Sequence, residues 1–223
     1  MTPFLIGFAI IGAIVLAAIV QQRSRHAREG FIDDYVFPRG IRERVRKRYP
    51  HLSDADLDLV FDALREYFHL SRKAGQRLLA MPSQVVDNAW HEFILFTRNY
   101  EAFCRQALGR FLHHTPTEAM RSRTMASDGI KRTWRMACQR AGINPLAATS
   151  VPLLFAIDGR LAIPDGFSYT LNCTHLAAAG SSATYCASDI GCGGGCGGGC
   201  SGSGCGGDGG GGDGGGCGGG GGD

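Results

Sequence analysis

An uninterrupted apolar segment near the N-terminus constrains this chain more than any other feature. Residues 3–20 read PFLIGFAIIGAIVLAAIV and contain no charged or strongly polar side chain. A helix of this length extends about 27 Å, close to the hydrocarbon thickness of a bilayer. A buried soluble helix and a cleaved signal peptide are the alternatives. Because no Lys or Arg precedes the run and it ends in Ile-Val-Gln-Gln, we predict an uncleaved single transmembrane helix over residues 1–22.

Basic residues follow this segment directly. Arg23, Arg25 and Arg28 begin a basic juxtamembrane segment, residues 23–50, which also contains PRGIRERVRKRYP. Positive charge on one flank predicts that the C-terminal body is cytoplasmic. Contact with anionic lipid and a solvated juxtamembrane helix are the two alternatives for the basic segment. The net charge of +3 is too small to indicate a nucleic-acid partner.

The fold class predicted for the folded part is mainly α, because apolar residues repeat at helical spacing through residues 51–144. Ser53 followed by Asp56 marks one helix start, and residues 71–80 indicate a short second helix. Ser83 is placed to cap a long third helix that ends at Gly109. A further helix is expected from about residue 117 to residue 141. We therefore predict a small helical bundle.

The pattern changes after Pro145. Apolar runs flank Asp158-Gly159, a strong two-residue turn signal, so a short β-hairpin followed by a loop is predicted within residues 145–190. The chain contains no glycine-rich phosphate loop and no alternation of strands and helices, so nucleotide chemistry has no support.

Residues 191–223 are almost entirely glycine and cysteine, which predicts a disordered Gly/Cys-rich tail. A plain flexible tail, a thiolate site for zinc or copper(I), and a substrate for post-translational modification are the alternatives. Structural disulfides conflict with a cytoplasmic location. The candidate metal ligands are Cys192, Cys196, Cys200, Cys205 and Cys217.

A second set of candidate residues lies in the aromatic segment 81–116. Asp87 and His91 are four residues apart and so share one helix face, an arrangement suited to a metal ligand or general base with its orienting carboxylate. A packed helix with a structural Asp–His tie is the alternative. If the third helix continues to Leu108, its end lies about 25 Å from His91. The five or six residues that lead to His113 and His114 span at most about 20 Å, which is too short to reach back to His91.

On that geometry, His113 and His114 reach His91 only if the helix breaks early. Two half-sites follow, one with Asp87 and His91 and the other with Cys104 and His113 or His114.

The residues Val86, Asp87, Trp90 and His91, followed by Tyr100, Cys104, Gly109 and the histidine pair, carry a family resemblance. The segment resembles an uncharacterised bacterial family of glycine-rich-tailed membrane proteins. It is more distantly similar to the plant glycine-rich domain-containing proteins, whose repeats have a VD..WH core. The close histidine pair after WH in the plant proteins is absent, because Phe93 occupies that place. The resemblance implies a grouping and no particular reaction.

The sequence as a whole favours a membrane-anchored, non-enzymatic protein whose thiol-rich flexible tail binds a metal ion or a protein partner. The alternatives are a metal-dependent or acid/base enzyme centred on Asp87 and His91, and a tail that is itself modified.

Overall fold

Helices make up most of the chain that the computed structural model describes, which is residues 2–114, 123–171, 184–186 and 190. Side chains are described at residue 8 and from residue 10 in the first helix, and from residue 127 in the sixth. The helices are α1 (Thr2–Asp33), α2 (Arg39–Arg48), α3 (Asp54–Ala74), α4 (Gln84–Leu95), α5 (Thr97–Phe103), a π-helical turn (Cys104–Leu108), α6 (Arg123–Arg140) and α7 (Leu153–Arg160). Two short strands, β1 (Ser168–Thr170) and β2 (Thr184–Cys186), form a small sheet.

The helix starts follow local capping chemistry. The Ser53 hydroxyl accepts from the Asp56 N–H, and the Asp56 carboxylate accepts from the Ser53 N–H, so α3 begins with a complete capping box. Ser83 likewise caps α4 by accepting from the Val86 N–H. Both predicted starts are confirmed. The predicted second helix over residues 71–80 is wrong, because α3 runs on to Ala74 and Gly75, at a φ of 64°, ends it there.

The long helix predicted from Ser83 to Gly109 is broken. Phe96, with φ −83° and ψ 60°, ends α4 and begins α5, which continues into the π-helical turn. Gly109 ends that turn at a φ of 70°, as predicted, and its N–H donates to the Cys104 carbonyl. This left-handed conformation favours glycine, because other residues are strained there.

An aromatic cluster lies at the centre of the core. Phe68 of α3 packs on Phe103 of α5 with ring centroids 4.6 Å apart, and Phe93 of α4 lies 5.4 Å from the same ring. Tyr35, in the connection after α1, completes the contact at 4.7 Å. The C-terminal part of α1 is tied to the body by Asp33, whose carboxylate lies 2.6 Å from the buried His69 imidazole. This packing fixes α3, α4 and α5 relative to one another.

The β-hairpin predicted around Asp158-Gly159 is wrong. These residues lie inside α7, and the two strands pair in parallel, with Tyr169 opposite Tyr185. A two-residue turn joins antiparallel strands only, so a parallel pair excludes the predicted hairpin. Asp158 is fully buried and accepts from the Ser83 hydroxyl at 2.6 Å and from the N–H groups of Gln84 and Phe167. It therefore anchors the start of α4.

Two further sequence predictions concern the ends of the chain. A transmembrane helix was predicted over residues 1–22; among the described residues, the structure contains no helix that is long and apolar enough to cross a membrane. The predicted disordered tail, residues 191–223, lies outside the described residues. Cys186 of β2 takes part in a disulfide whose partner also lies outside them, whereas Cys104 and Cys138 are free and buried.

Candidate metal centre

The first two turns of α4 present an aspartate and a histidine on one face. The Ser83 cap and the buried Asp158 carboxylate fix the start of this helix, which places Asp87 in its first turn. An acidic side chain is favourable there because the helix N-terminus carries partial positive charge. One turn later, His91 brings its Nδ1 to 3.3 Å from an Asp87 carboxylate oxygen. The shared face predicted for these two residues is confirmed.

His114 joins this pair from a distant part of the chain. Its Nε2 lies 3.0 Å from the other Asp87 carboxylate oxygen, and its ring centroid is 4.1 Å from that of His91. The predicted separation into two half-sites is therefore wrong for His114. The separation assumed an unbroken helix up to Leu108, whereas the break at Phe96 and the stop at Gly109 turn the chain back along α4.

Buried hydrogen bonds hold the returning loop, residues 109–114, in place. The indole N–H of Trp90 donates to the Tyr100 hydroxyl at 3.1 Å, and that hydroxyl donates to the Leu112 carbonyl. Trp90 and Tyr100 are almost completely buried, and the His114 ring packs 4.6 Å from the indole. Burial raises the pKa of the Tyr100 hydroxyl, which therefore remains a neutral donor. These hydrogen bonds fix the backbone at Leu112 and thereby position His114, which lies two residues further along the chain.

The three side chains can supply one ligand atom each to a metal ion. Those atoms all lie within 4.8 Å of one another. In a tetrahedral site with metal–ligand distances of about 2.1 Å the ligand atoms are about 3.4 Å apart, so small side-chain rotations bring these three into range. Two imidazoles and one carboxylate form a ligand set known for zinc and for non-haem iron, with coordination positions left open.

A cavity of about 350 Å³ adjoins the triad. Asp87, His91 and His114 all line it, and their side chains are 22%, 48% and 13% exposed. An ion held by the three would therefore have access to a space large enough for a small ligand.

The remaining candidate residues are not part of this triad. Cys104 is buried and burial raises the pKa of its thiol, which disfavours the thiolate that binds metals. His113 is exposed and lines the cavity beside His114, but it is not among the three clustered ligands. The tail cysteines Cys192, Cys196, Cys200, Cys205 and Cys217 lie outside the described residues.

Fold and site together define a mainly helical protein in which one helix and a returning loop assemble an Asp-His-His cluster beside a cavity. The chain belongs to the family described as UCP032817-like, which matches residues 27–190, more than half of its length. The match includes the whole cluster and leaves out the apolar segment and the tail. No curated protein and no solved structure matches the chain significantly.

Proposed function

We propose that this protein is a metal-dependent enzyme whose single divalent transition-metal ion is bound by Asp87, His91 and His114. The convergence of three potential ligand atoms within 4.8 Å, from two separate segments, is the observation that supports it. A metal in such a site acts as a Lewis acid and lowers the pKa of bound water, which provides a nucleophile near neutral pH.

The chain itself supplies orientation. Asp87 is placed between the two imidazoles, and the Trp90–Tyr100–Leu112 hydrogen bonds fix the loop that carries His114. The three side chains line the cavity, so a substrate would have room beside an ion that they held. We favour the enzyme alternative over the non-enzymatic thiol tail because Asp87, His91 and His114 converge beside a cavity.

Metal binding by the full chain tests the proposal. To separate the triad from the tail, the five tail cysteines are changed to serine, and Co²⁺ or Zn²⁺ is titrated by calorimetry with metal content measured after dialysis. We expect one ion per chain. His91→Ala and His114→Ala should each weaken binding by more than about 100-fold, since loss of a supporting residue alone costs 10- to 100-fold.

The matched control is His113→Ala, which removes the exposed neighbouring imidazole and should leave metal stoichiometry unchanged. Circular dichroism of each variant shows whether the fold is retained. Two results together would overturn the proposal: no metal binding by the tail-serine protein, and unchanged binding by a His114→Ala variant that keeps its tail cysteines. They would assign the metal to the tail thiols instead.

We also propose that the apolar part of α1 associates with a lipid bilayer. The observation that favours this is the exposure of apolar side chains on α1. More than half of the residue surface is exposed at five positions: Ile10, Ile11, Ile14, Val15 and Leu16. These positions cover the helix circumference, since successive residues are about 100° apart, so one protein groove would not cover them all. Lipid would cover every face, with the body held close by the basic residues that follow.

Cell fractionation distinguishes lipid association from a soluble state. The full chain should sediment with membranes and resist alkaline carbonate, whereas a variant with Ile14→Asp and Leu16→Asp should be released, because each buried charge costs about 3 kcal/mol in a bilayer. Val36→Asp, at an exposed apolar residue outside α1, is the control and should stay membrane-bound. Carbonate release of the unaltered chain would contradict the proposal.

A further inference from the structure

The cavity beside the Asp-His-His cluster contains two arginines that the proposed metal site does not use. Arg77 comes from the connection between α3 and α4, and Arg110 follows Gly109 at the start of the returning loop. Both residues line the cavity together with Gln76. Polar donors from two segments thus face the same space as the metal ligands.

Neither arginine has an acidic partner among the described residues. Arg110 donates to the carbonyls of Ser71 and Phe111 at 3.3 and 3.4 Å, and the Arg77 Nε donates to the Ala74 carbonyl at 3.2 Å. These bonds orient the guanidiniums and leave most of their five N–H donors available.

Some arginines elsewhere in the body are neutralised by a carboxylate. Arg44 bonds the Glu92 carboxylate at 3.0 Å, and Arg72 pairs with Glu29. Among the described residues, the hydrogen bonds of Arg77 and Arg110 go to backbone carbonyls instead, so the positive charge of both guanidiniums remains available in the cavity.

The charge of the cavity selects the class of ligand. Two guanidiniums and the Asp87 carboxylate give a formal charge of +1 with neutral histidines, and a divalent ion raises this to +3. A concave site with this excess of positive charge attracts anions. Guanidinium forks bind phosphate and carboxylate oxygens in pairs, and a phosphate dianion matches the charge better than a carboxylate does.

We infer that the cavity binds the phosphate group of a small phosphate ester, with its oxygens shared between Arg77, Arg110 and the metal ion. The volume of about 350 Å³ is within the range of small-molecule sites and exceeds what a phosphate group alone occupies. The inference deepens the proposed function and rests on it, because the metal ion provides two of the three positive charges in excess.

Inorganic phosphate is the probe that tests this inference. It is titrated by calorimetry into the full chain carrying the tail serines, first loaded with one Zn²⁺ and then stripped of metal. We expect phosphate to bind the loaded protein at least about 10-fold more tightly than the stripped protein, and more tightly than acetate. Arg110→Gln and Arg77→Gln should each weaken phosphate binding by about 10- to 100-fold while metal stoichiometry stays at one.

Arg105→Gln is the matched control. This arginine lies five residues before Arg110, is exposed, and is outside the set of described residues that line the cavity. Zinc-loaded protein that binds no phosphate, or binds it equally well in both arginine variants, overturns the inference and leaves the metal centre standing. If the protein binds no metal, the proposed function is wrong. If the affinity of that protein for phosphate is also unchanged by Arg110→Gln, the inference is wrong as well.

Discussion

At the scale of single residues, Glu66 is a described acid whose surroundings raise its pKa to near neutrality. It lies half-buried on α3, where burial raises its pKa from 4.5 to about 7, and the positive charge of Arg140 opposes this only in part. Between these two pH values the native state binds more protons at this position than the unfolded state does. The free energy of unfolding therefore falls as pH rises from about 4.5 to about 7.

Glu66→Gln should remove this loss of stability. The amide has nearly the shape of the protonated acid and does not ionise, so we expect the variant to match the parent at pH 4.5 and to exceed it by about 1–2 kcal/mol at pH 8. Urea unfolding at the two pH values measures the difference. Glu101→Gln, at an exposed acid on α5, is the control and should change neither value by more than about 0.5 kcal/mol. Equal effects of Glu66→Gln at both pH values would contradict the raised pKa.

Asp158 shows why some residues cannot be interpreted from their neighbours in sequence. Asp-Gly between apolar runs has the same local appearance in a hairpin turn and in this helix. Its actual role depends on Ser83 and Gln84, more than 70 residues away, whose donors its buried carboxylate accepts. Local turn chemistry predicts a strand connection because it contains no information about these distant donors.

At the scale of elements, the break between α4 and α5 creates the site. The sequence predicts the Asp87–His91 pair, since helical spacing alone places them together, but not His114. Nothing around Phe96 is a helix breaker. Its ring instead packs on α2, where a Cβ at Gly40 would lie 3.0 Å from it and the Arg44 guanidinium lies 5.6 Å from its centre. Tertiary packing overrides helix propensity here, which no local pattern indicates.

The hydrogen-bonded connection between α4, α5 and the returning loop should control metal affinity at the proposed site. Tyr100→Phe removes the hydroxyl shared by Trp90 and Leu112 and leaves a buried N–H and a buried carbonyl unpaired. We expect a stability loss of about 1–3 kcal/mol with the fold retained. Metal affinity should fall about 10-fold, because His114 loses its support.

Tyr49→Phe is the control that separates the loss of stability from the loss of metal affinity. Its hydroxyl bonds Asp165, and Tyr49 does not line the site cavity. This control should lower stability modestly and leave metal affinity unchanged. If Tyr100→Phe lowers stability but metal affinity stays at the parent value, the hydrogen-bonded relay does not position His114.

At the scale of the whole molecule, two features give opposite indications about the compartment. The arginines after the apolar segment predict a cytoplasmic body, whereas the disulfide at Cys186 is typical of oxidising compartments. The sequence predicts the helices and their caps because these depend on neighbouring residues. It does not predict the compartment or the cysteine pairing, because these depend on the orientation of the chain in a membrane and on contacts between distant segments.

We expect Cys186 to be reduced in growing cells and to form its disulfide only on exposure to air. Arg23, Arg25 and Arg28 predict a body on the cytoplasmic side, where cellular thiols keep cysteines reduced. Acid quenching of intact cells, then unfolding and alkylation without reductant, should label Cys186 as fully as Cys138, which is free and buried and reports labelling efficiency. Mass spectrometry of the two peptides gives the ratio. Labelling of Cys138 alone would mean that the body resides in an oxidising compartment, contrary to the predicted side.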